Sequence, residues 1–187
     1  MLERFVKQTK YASQEDFRKN FKVEVPENFN FGYDIVDAWA AEQPEKNAIL
    51  WTNDQGLEHQ YTFAELKEKT DATASYFQSL GIGHGDMVML ILKRRIEFWF
   101  SIIALHKLGA VAIPATHLLT KKDIVYRCNA ADIKAIVCAG EEVITEVEYD
   151  LESLIFELNS LIPSKLTSDL KFFIDIEPSI PKRYFGD

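Results

Sequence analysis

Gly81-Ile-Gly-His-Gly85 is the stretch of this chain best suited by composition to cradle a phosphate. Clustered glycines let backbone N–H groups approach an anion. Its spacing is not G-x-G-x-x-G, and it follows a helical pattern and precedes a strand-like run, the reverse of the order a dinucleotide loop needs. It reads instead as a helix stop with a turn into a strand at Asp86. The 187 residues contain no GxxxxGK[ST] and no GxSxG. His59, His84, His106 and His117 are far apart and include no HxxxH pair, so they do not make a metal-ligand set. Cys128 and Cys138 lack C-x-x-C spacing and sit among apolar neighbours, as buried, reduced thiols do. The acids, Asp71, Glu97, Asp123 and Asp132 among them, fall where helix surfaces or caps would place them. Taken alone, these residues form no catalytic constellation, and a chain with a large core and no active site reads as incomplete.

The elements that could position chemistry are organised around residues 87–114. Residues 87–92 are a continuous apolar run, of a length for a strand buried on both faces. Lys93-Arg94-Arg95 interrupts it as a loop. Residues 96–108 are apolar on nearly every side, which predicts a helix packed on more than one face. Trp99, mid-helix, is expected in the core, where truncation to Ala costs roughly 3–5 kcal/mol. Gly109 ends the helix, and residues 110–114 read as a second buried strand. Strand, helix and strand of these lengths make a βαβ unit with parallel strands and a right-handed crossover.

Around this unit the pattern continues. Ser13 starts a short helix over 16–21, a polar extended arm follows, and 33–42 is predicted helical with Ile35, Val36 and Trp39 on one stripe. Residues 48–52 and 59–61 flank a hairpin loop ending at Gly56. Thr62 and Glu65 form a capping box for a helix carrying Phe63, Leu66, Ala74, Phe77 and Leu80 on one face. A further helix opens at Thr120, with Ile124, Val125 and Cys128 apolar, and 133–138 is a short strand. Residues 145–161 are amphipathic, and 170–174 are a last strand. The alternation predicts an α/β fold, a mainly parallel sheet with helices on both faces. Residues 1–30 read as an N-terminal helix and arm, and 31–187 as the α/β unit.

A net charge of −8 and the absence of a basic stripe argue against a nucleic-acid surface. Lys93-Arg94-Arg95 and Lys121-Lys122 are short solvated clusters. The first twenty residues mix acids and bases without a long apolar region, and 96–105 is too short to span a bilayer. The expectation is a soluble, cytoplasmic protein.

Tyr61-Thr-Phe-Ala-Glu-Leu66, Leu80-Gly-Ile-Gly-His-Gly-Asp86-Met-Val88, Glu97-Phe-Trp99, Lys107-Leu-Gly-Ala-Val111, Ile113-Pro114 and Asp123-Ile-Val-Tyr-Arg127 follow one another in a telling order. Through them the chain resembles the N-terminal part of acyl-CoA synthetases of the adenylate-forming (AMP-binding) superfamily. The likeness is greatest to the medium-chain acyl-CoA and acetyl-CoA synthetase branch, and it covers about 31–174. It implies part of the large N-terminal domain of such an enzyme. Ligands implied are ATP with Mg2+, CoA and a small-molecule carboxylic acid, which is activated as an acyl-adenylate before the CoA thiol displaces AMP.

The family's Ser/Thr/Gly-rich phosphate loop, ribose-binding aspartate and C-terminal lysine have no counterpart here. The resemblance therefore implies a fragment, inactive alone, with no catalytic residue among the 187. It places Thr116, His117 and Leu118 beside the CoA nucleotide, in the loop after 111–114. Acetyl-CoA synthetases often carry glycines there, from which His117-Leu118 departs, and the arginines some of them use after the next strand are missing from 140–147. The same loop also reads as a plain strand-to-helix connection. Loss of a neighbouring layer would uncover apolar surface on 96–108 or 145–161 and drive self-association. A self-standing flavodoxin-like nucleotide-binding or protein-interaction module is the alternative reading.

Overall fold

The chain is described by a computed structural model that covers residues 2–54, 56–138 and the strand 171–173. Its central strand is β3, Met87–Ile91, in which Val88, Met89 and Leu90 are wholly buried. Successive strand side chains point to opposite faces. Val88 and Leu90 accordingly join one core, with Leu92, Ala104, Leu105, Ala135 and Val137. Met89 and Ile91 join another, with Ile124, Cys128, Ile133, Ile136 and Cys138.

Parallel neighbours flank β3. On one side is β4, Val111–Pro114, and on the other β5, Ile133–Cys138, which pairs in turn with β6, Lys171–Phe173. The sheet order is β4-β3-β5-β6, all parallel. A first helix, α1, Gln14–Asn20, is capped by Ser13 and buries no residue. Hairpin strands β1, Asn47–Thr52, and β2, Glu58–Thr62, form a separate antiparallel sheet.

Local chemistry sets the helix ends. Thr62 and Glu65 make the capping box that opens α3, Phe63–Ser79, whose buried stripe is Leu66, Thr70, Ala74 and Phe77. Gly109, at φ 68°, ends α4, Glu97–Leu108, in the left-handed conformation glycine favours. Thr120 and Asp123 box the start of α5, Lys121–Ala131. The two crossover helices lie on opposite faces, α4 against the first core and α5 against the second. This is the α/β architecture the alternation predicts.

Two expectations are corrected, and a third, the helix over 33–42, is borne out with a π-helical first part. Trp99 is 48% exposed, because α4 buries Ser101, Ile103, Ala104, Leu105 and Lys107, a stripe that leaves position 99 on the outer side. Among the described residues β4 is the sheet edge, with Val111 and Pro114 exposed, where a second buried strand is expected. Pro114 has no N–H to donate, a property that suits an edge. The predicted helix over 33–42 divides into a π-helix, Gly32–Asp37, and α2, Ala38–Glu42. The amphipathic stretch 145–161 lies outside the described residues.

These burials separate two substitutions on one helix. Trp99→Ala is expected to lower unfolding free energy by about 1 kcal/mol or less, within the range of surface changes. Leu105→Ala, at a wholly buried site, should cost about 2–5 kcal/mol. Urea denaturation of both variants checks the contrast, and comparable losses would put Trp99 back in the core.

Candidate functional site

In open parallel sheets ligands bind beyond the carboxyl ends of the strands, where the connections diverge. Here the chain leaves β3 for β4 on one side, then crosses to β5 on the other. Among the described residues two connections leave at that edge: the loop after β3 and the loop after β4. Lys93, the second residue after β3, has a left-handed φ of 50°, an uncommon backbone for a side chain of its size. The Trp51 indole N–H donates to the carbonyl of Arg94 at 2.7 Å and ties hairpin β1–β2 to this loop. Arg94 also pairs with Asp54 at 2.8 Å, but both side chains are exposed and the pair contributes little.

The loop after β4 holds Thr116, His117 and Leu118, all exposed. The Ala115 N–H donates to the carbonyl of Leu90 at 2.9 Å, so sheet pairing runs one residue past the strand. The Thr116 hydroxyl oxygen accepts from the Leu118 N–H at 3.2 Å, folding the three residues into one turn ahead of α5. The structure thus brings them together at the carboxyl edge, beside the outer strand rather than between β3 and β5. Leu118, 76% exposed, projects an apolar side chain there.

The glycine loop lies at the opposite, amino edge. The Gly83 N–H donates to the Asp86 carboxylate at 2.7 Å, and the Gly85 N–H donates to the carbonyl of Gly109 at 2.9 Å. Lys134 bridges the Asp86 carboxylate and the Gly81 carbonyl, each at 2.8 Å. Burial works against ionisation of Asp86, but the bonds from Lys134 and Gly83 outweigh it and hold the carboxyl below its ordinary value. These amides are committed to the turn, as the helix-stop reading requires. Burial pushes the Cys128 thiol up to about 11, so neutral solution holds almost no thiolate at that position. Among the described residues no group of three or more His, Cys, Asp or Glu side chains could hold a metal ion.

One charged cluster is centred on a buried lysine. The Lys107 side chain is 1% exposed, and its Nζ lies 2.6 Å from a carboxylate oxygen of Asp37 and 2.6 Å from one of Asp71. Lys67 bonds the other oxygen of Asp71 and stands 3.7 Å from Asp37. The four charges cancel, and they join the π-helix, α3 and α4. Asp71 is the helix-surface acid that the sequence suggests, its side chain 41% exposed, but its partner is a buried lysine. A signal was available: Lys107 follows buried Ile103 by four positions, which places both on one helix face.

Against this geometry stand the comparisons with known proteins. The profile described as AMP-binding enzyme matches residues 36–179. The chain belongs to the AMP-binding enzyme family. Its relatives include the mitochondrial acyl-coenzyme A synthetase ACSM5 of Rattus norvegicus, 38% identical over 119 residues, covering 60% of this chain and 21% of that protein. Another is the mitochondrial acyl-coenzyme A synthetase ACSM4 of Mus musculus, 37% identical over 150 residues, covering 77% of this chain and 25% of that protein.

Among solved structures, a Mycobacterium tuberculosis fatty acyl CoA synthetase superposes with a TM-score of 0.64 at 19% identity, over 84% of this chain and 28% of that one. The Klebsiella oxytoca NpsA N-terminal subdomain, in complex with 3-hydroxybenzoyl-AMSN, gives 0.51 at 26% identity, over 56% of this chain and 26% of that one. The chain thus spans about a quarter of the length of the family members it matches.

The charge cluster makes a prediction about acid. Burial disfavours the Asp71 anion, but bonds from Lys107 and Lys67 outweigh that and keep its carboxyl below the ordinary value. A carboxyl depressed on folding stabilises the fold above its unfolded value and loses that contribution as pH falls through the folded one. Wild-type stability should therefore drop as pH falls below about 4. Asp71→Asn should be less stable at pH 7 and show a shallower acid limb. Denaturant midpoints across pH 2–7 check this, and parallel limbs in the two proteins would contradict it.

Proposed function

We propose that these residues serve an enzyme that joins a carboxylic acid to CoA at the expense of ATP. The acid's carboxylate attacks ATP to give an acyl-adenylate and pyrophosphate, and the CoA thiol then displaces AMP to give acyl-CoA. The observation that carries this reading is the family match over 36–179, combined with relatives that are acyl-coenzyme A synthetases.

ATP with Mg2+ and CoA are the cofactors of the reading. The described residues offer neither a carboxylate cluster for magnesium nor a glycine-rich turn leading from a strand into a helix. No chemical step is assigned to them. Their part is architectural: the parallel sheet presents its carboxyl edge, and Thr116, His117 and Leu118 border the CoA nucleotide from the rim of β4. Exposed apolar residues such as Trp99 and Val111 favour association between copies of the chain. No helix among the described residues is long and apolar enough to cross a membrane.

A second reading draws support from the strand order β4-β3-β5-β6, which is that of flavodoxin-like sheets. In it the chain is a self-standing nucleotide-binding or interaction module.

Carboxylate-dependent ATP–pyrophosphate exchange separates the two. The 187-residue chain should give none above a no-enzyme blank, whereas the reading frame extended to its relatives' length should give exchange with short- or medium-chain acids. Exchange by the short chain would overturn its reading as an inactive fragment, and none by the long one with any acid would overturn the ligase reading.

The CoA contact is tested in the extended protein by His117→Glu. A new negative charge near the anionic nucleotide should raise the KM for CoA about fivefold, the equivalent of ~1 kcal/mol for one like charge near solvent. Exchange should not change, because that half-reaction does not use CoA. An unaltered KM would return the turn to a purely structural role.

A further inference from the structure

Among the described residues, 2–31 reach α4 at His106, and the segment that follows them lies on its neighbour Lys107. The Asn30 side-chain amide donates to the carbonyl of His106 at 2.6 Å, and the Phe31 ring meets the His106 ring edge-on at 5.8 Å. The other end of the Asn30 amide accepts from the Gly32 N–H at 2.9 Å and the Tyr33 N–H at 3.3 Å. Its backbone N–H donates to the Asp34 carboxylate at 2.8 Å, so Asn30 and Asp34 cap the π-helix reciprocally. Arg4 reaches back to Asp34, 3.7 Å from the carboxylate and 3.3 Å from the carbonyl.

The π-helix itself lies on Lys107. A Cβ at Gly32 would stand 2.5 Å from Lys107 Cγ, in the fixed part of that side chain rather than its free end. The Lys107 ammonium sits 5.7 Å from the Tyr33 ring centre and bonds Asp37 at the far end of the segment. π-Helices are rare, and where they occur the surroundings must hold them against the α form. Here the holding groups are Asn30 at the start, the Lys107 stem in the middle and the Lys107 ammonium at the end.

Among the described residues, few other groups fasten the segment. Neither core flanking the sheet contains a residue before Ala74. Of the π-helix only Val36 enters a hydrophobic cluster, with Leu66 and Ile103. Within 3–31 the buried side chains are Phe5 and Val6, and Phe5 packs on Phe29 of the same arm.

We propose that Gly32–Asp37 is a latch. Lys107, seated between Asp37 and Asp71, holds it in the π form. Opening that one contact set frees residues 2–37 as a unit while the α/β body stays folded. Lys107 is in this sense a positioning residue, acting through the segment it carries rather than through any ligand. The proposal does not depend on the ligase reading.

The test is hydrogen exchange read by mass spectrometry on the 187-residue chain and two variants. Lys107→Met removes the charge that holds Asp37. Gly32→Ala keeps every charge but puts a methyl group against the Lys107 stem. Both should lower protection of amides 32–42 by about tenfold, with that of β3 and β5 changing by less than about twofold. Trypsin should cut wild type slowly at Arg18 and Lys19 and both variants faster, leaving a protected body. Protection lost equally from the latch and the strands would overturn the proposal, as would unchanged protection at 32–42. If Lys107→Met does not fold, Gly32→Ala decides by the same criteria.

Discussion

A strand whose side chains are all apolar cannot leave either face in water, and β3 is such a strand. Val88, Met89 and Leu90 are at 0% exposure, yet adjacent residues among them point in opposite directions. Burying both faces requires a helix-bearing layer on each, which parallel connections supply. α4 and α5 occupy those layers because one crossover leaves β3 toward β4 and the other returns past it to β5. The carboxyl edge, the amino-edge glycine turn and the position of Lys107 all follow from this arrangement.

Features that depend on a few neighbouring residues were legible in the sequence. The Thr62–Glu65 and Thr120–Asp123 boxes are contained within four residues each, and Gly109 marks its helix end through a single torsion. Features set by distant partners were not. The apolar run 110–114 has the same composition whether a strand lies beside it or not, and only Pro114 hinted at an edge. Trp99 looked buried because apolar residues surround α4 on most sides. Which of them face inward is decided by α3 and the sheet, not by α4.

The candidate site divides in the same way. The loop of Thr116, His117 and Leu118 is singled out through the family resemblance, and only its position between a strand and a capped helix was legible locally. Its place beside the outer strand depends on sheet order, which no local pattern states. The Lys107 cluster draws on residues from three helices, and each of its acids resembles a solvated helix charge when seen alone. Its lysine has a helical spacing from Ile103 that betrays burial, but the identity of its partners is a tertiary fact. Pairing was required all the same, since an unpaired ammonium at that depth would be several kcal/mol too costly.

The order of the sheet also bears on how the chain assembles in time. β3 pairs with β4 across one helix, Met89 to Ile113, and with β5 across a longer loop, Met89 to Ile136. Closing the longer loop costs more entropy, and its contacts are rewarded only once both ends meet. The β3–α4–β4 crossover is therefore the segment suited to nucleate. The arrival of β5 then seals both hydrophobic layers, since Ala135 and Val137 enter one and Ile136 and Cys138 the other. On a ribosome this cannot happen until Cys138 has cleared the exit tunnel, so a nascent chain carries β3 open along one side for the whole synthesis of α5.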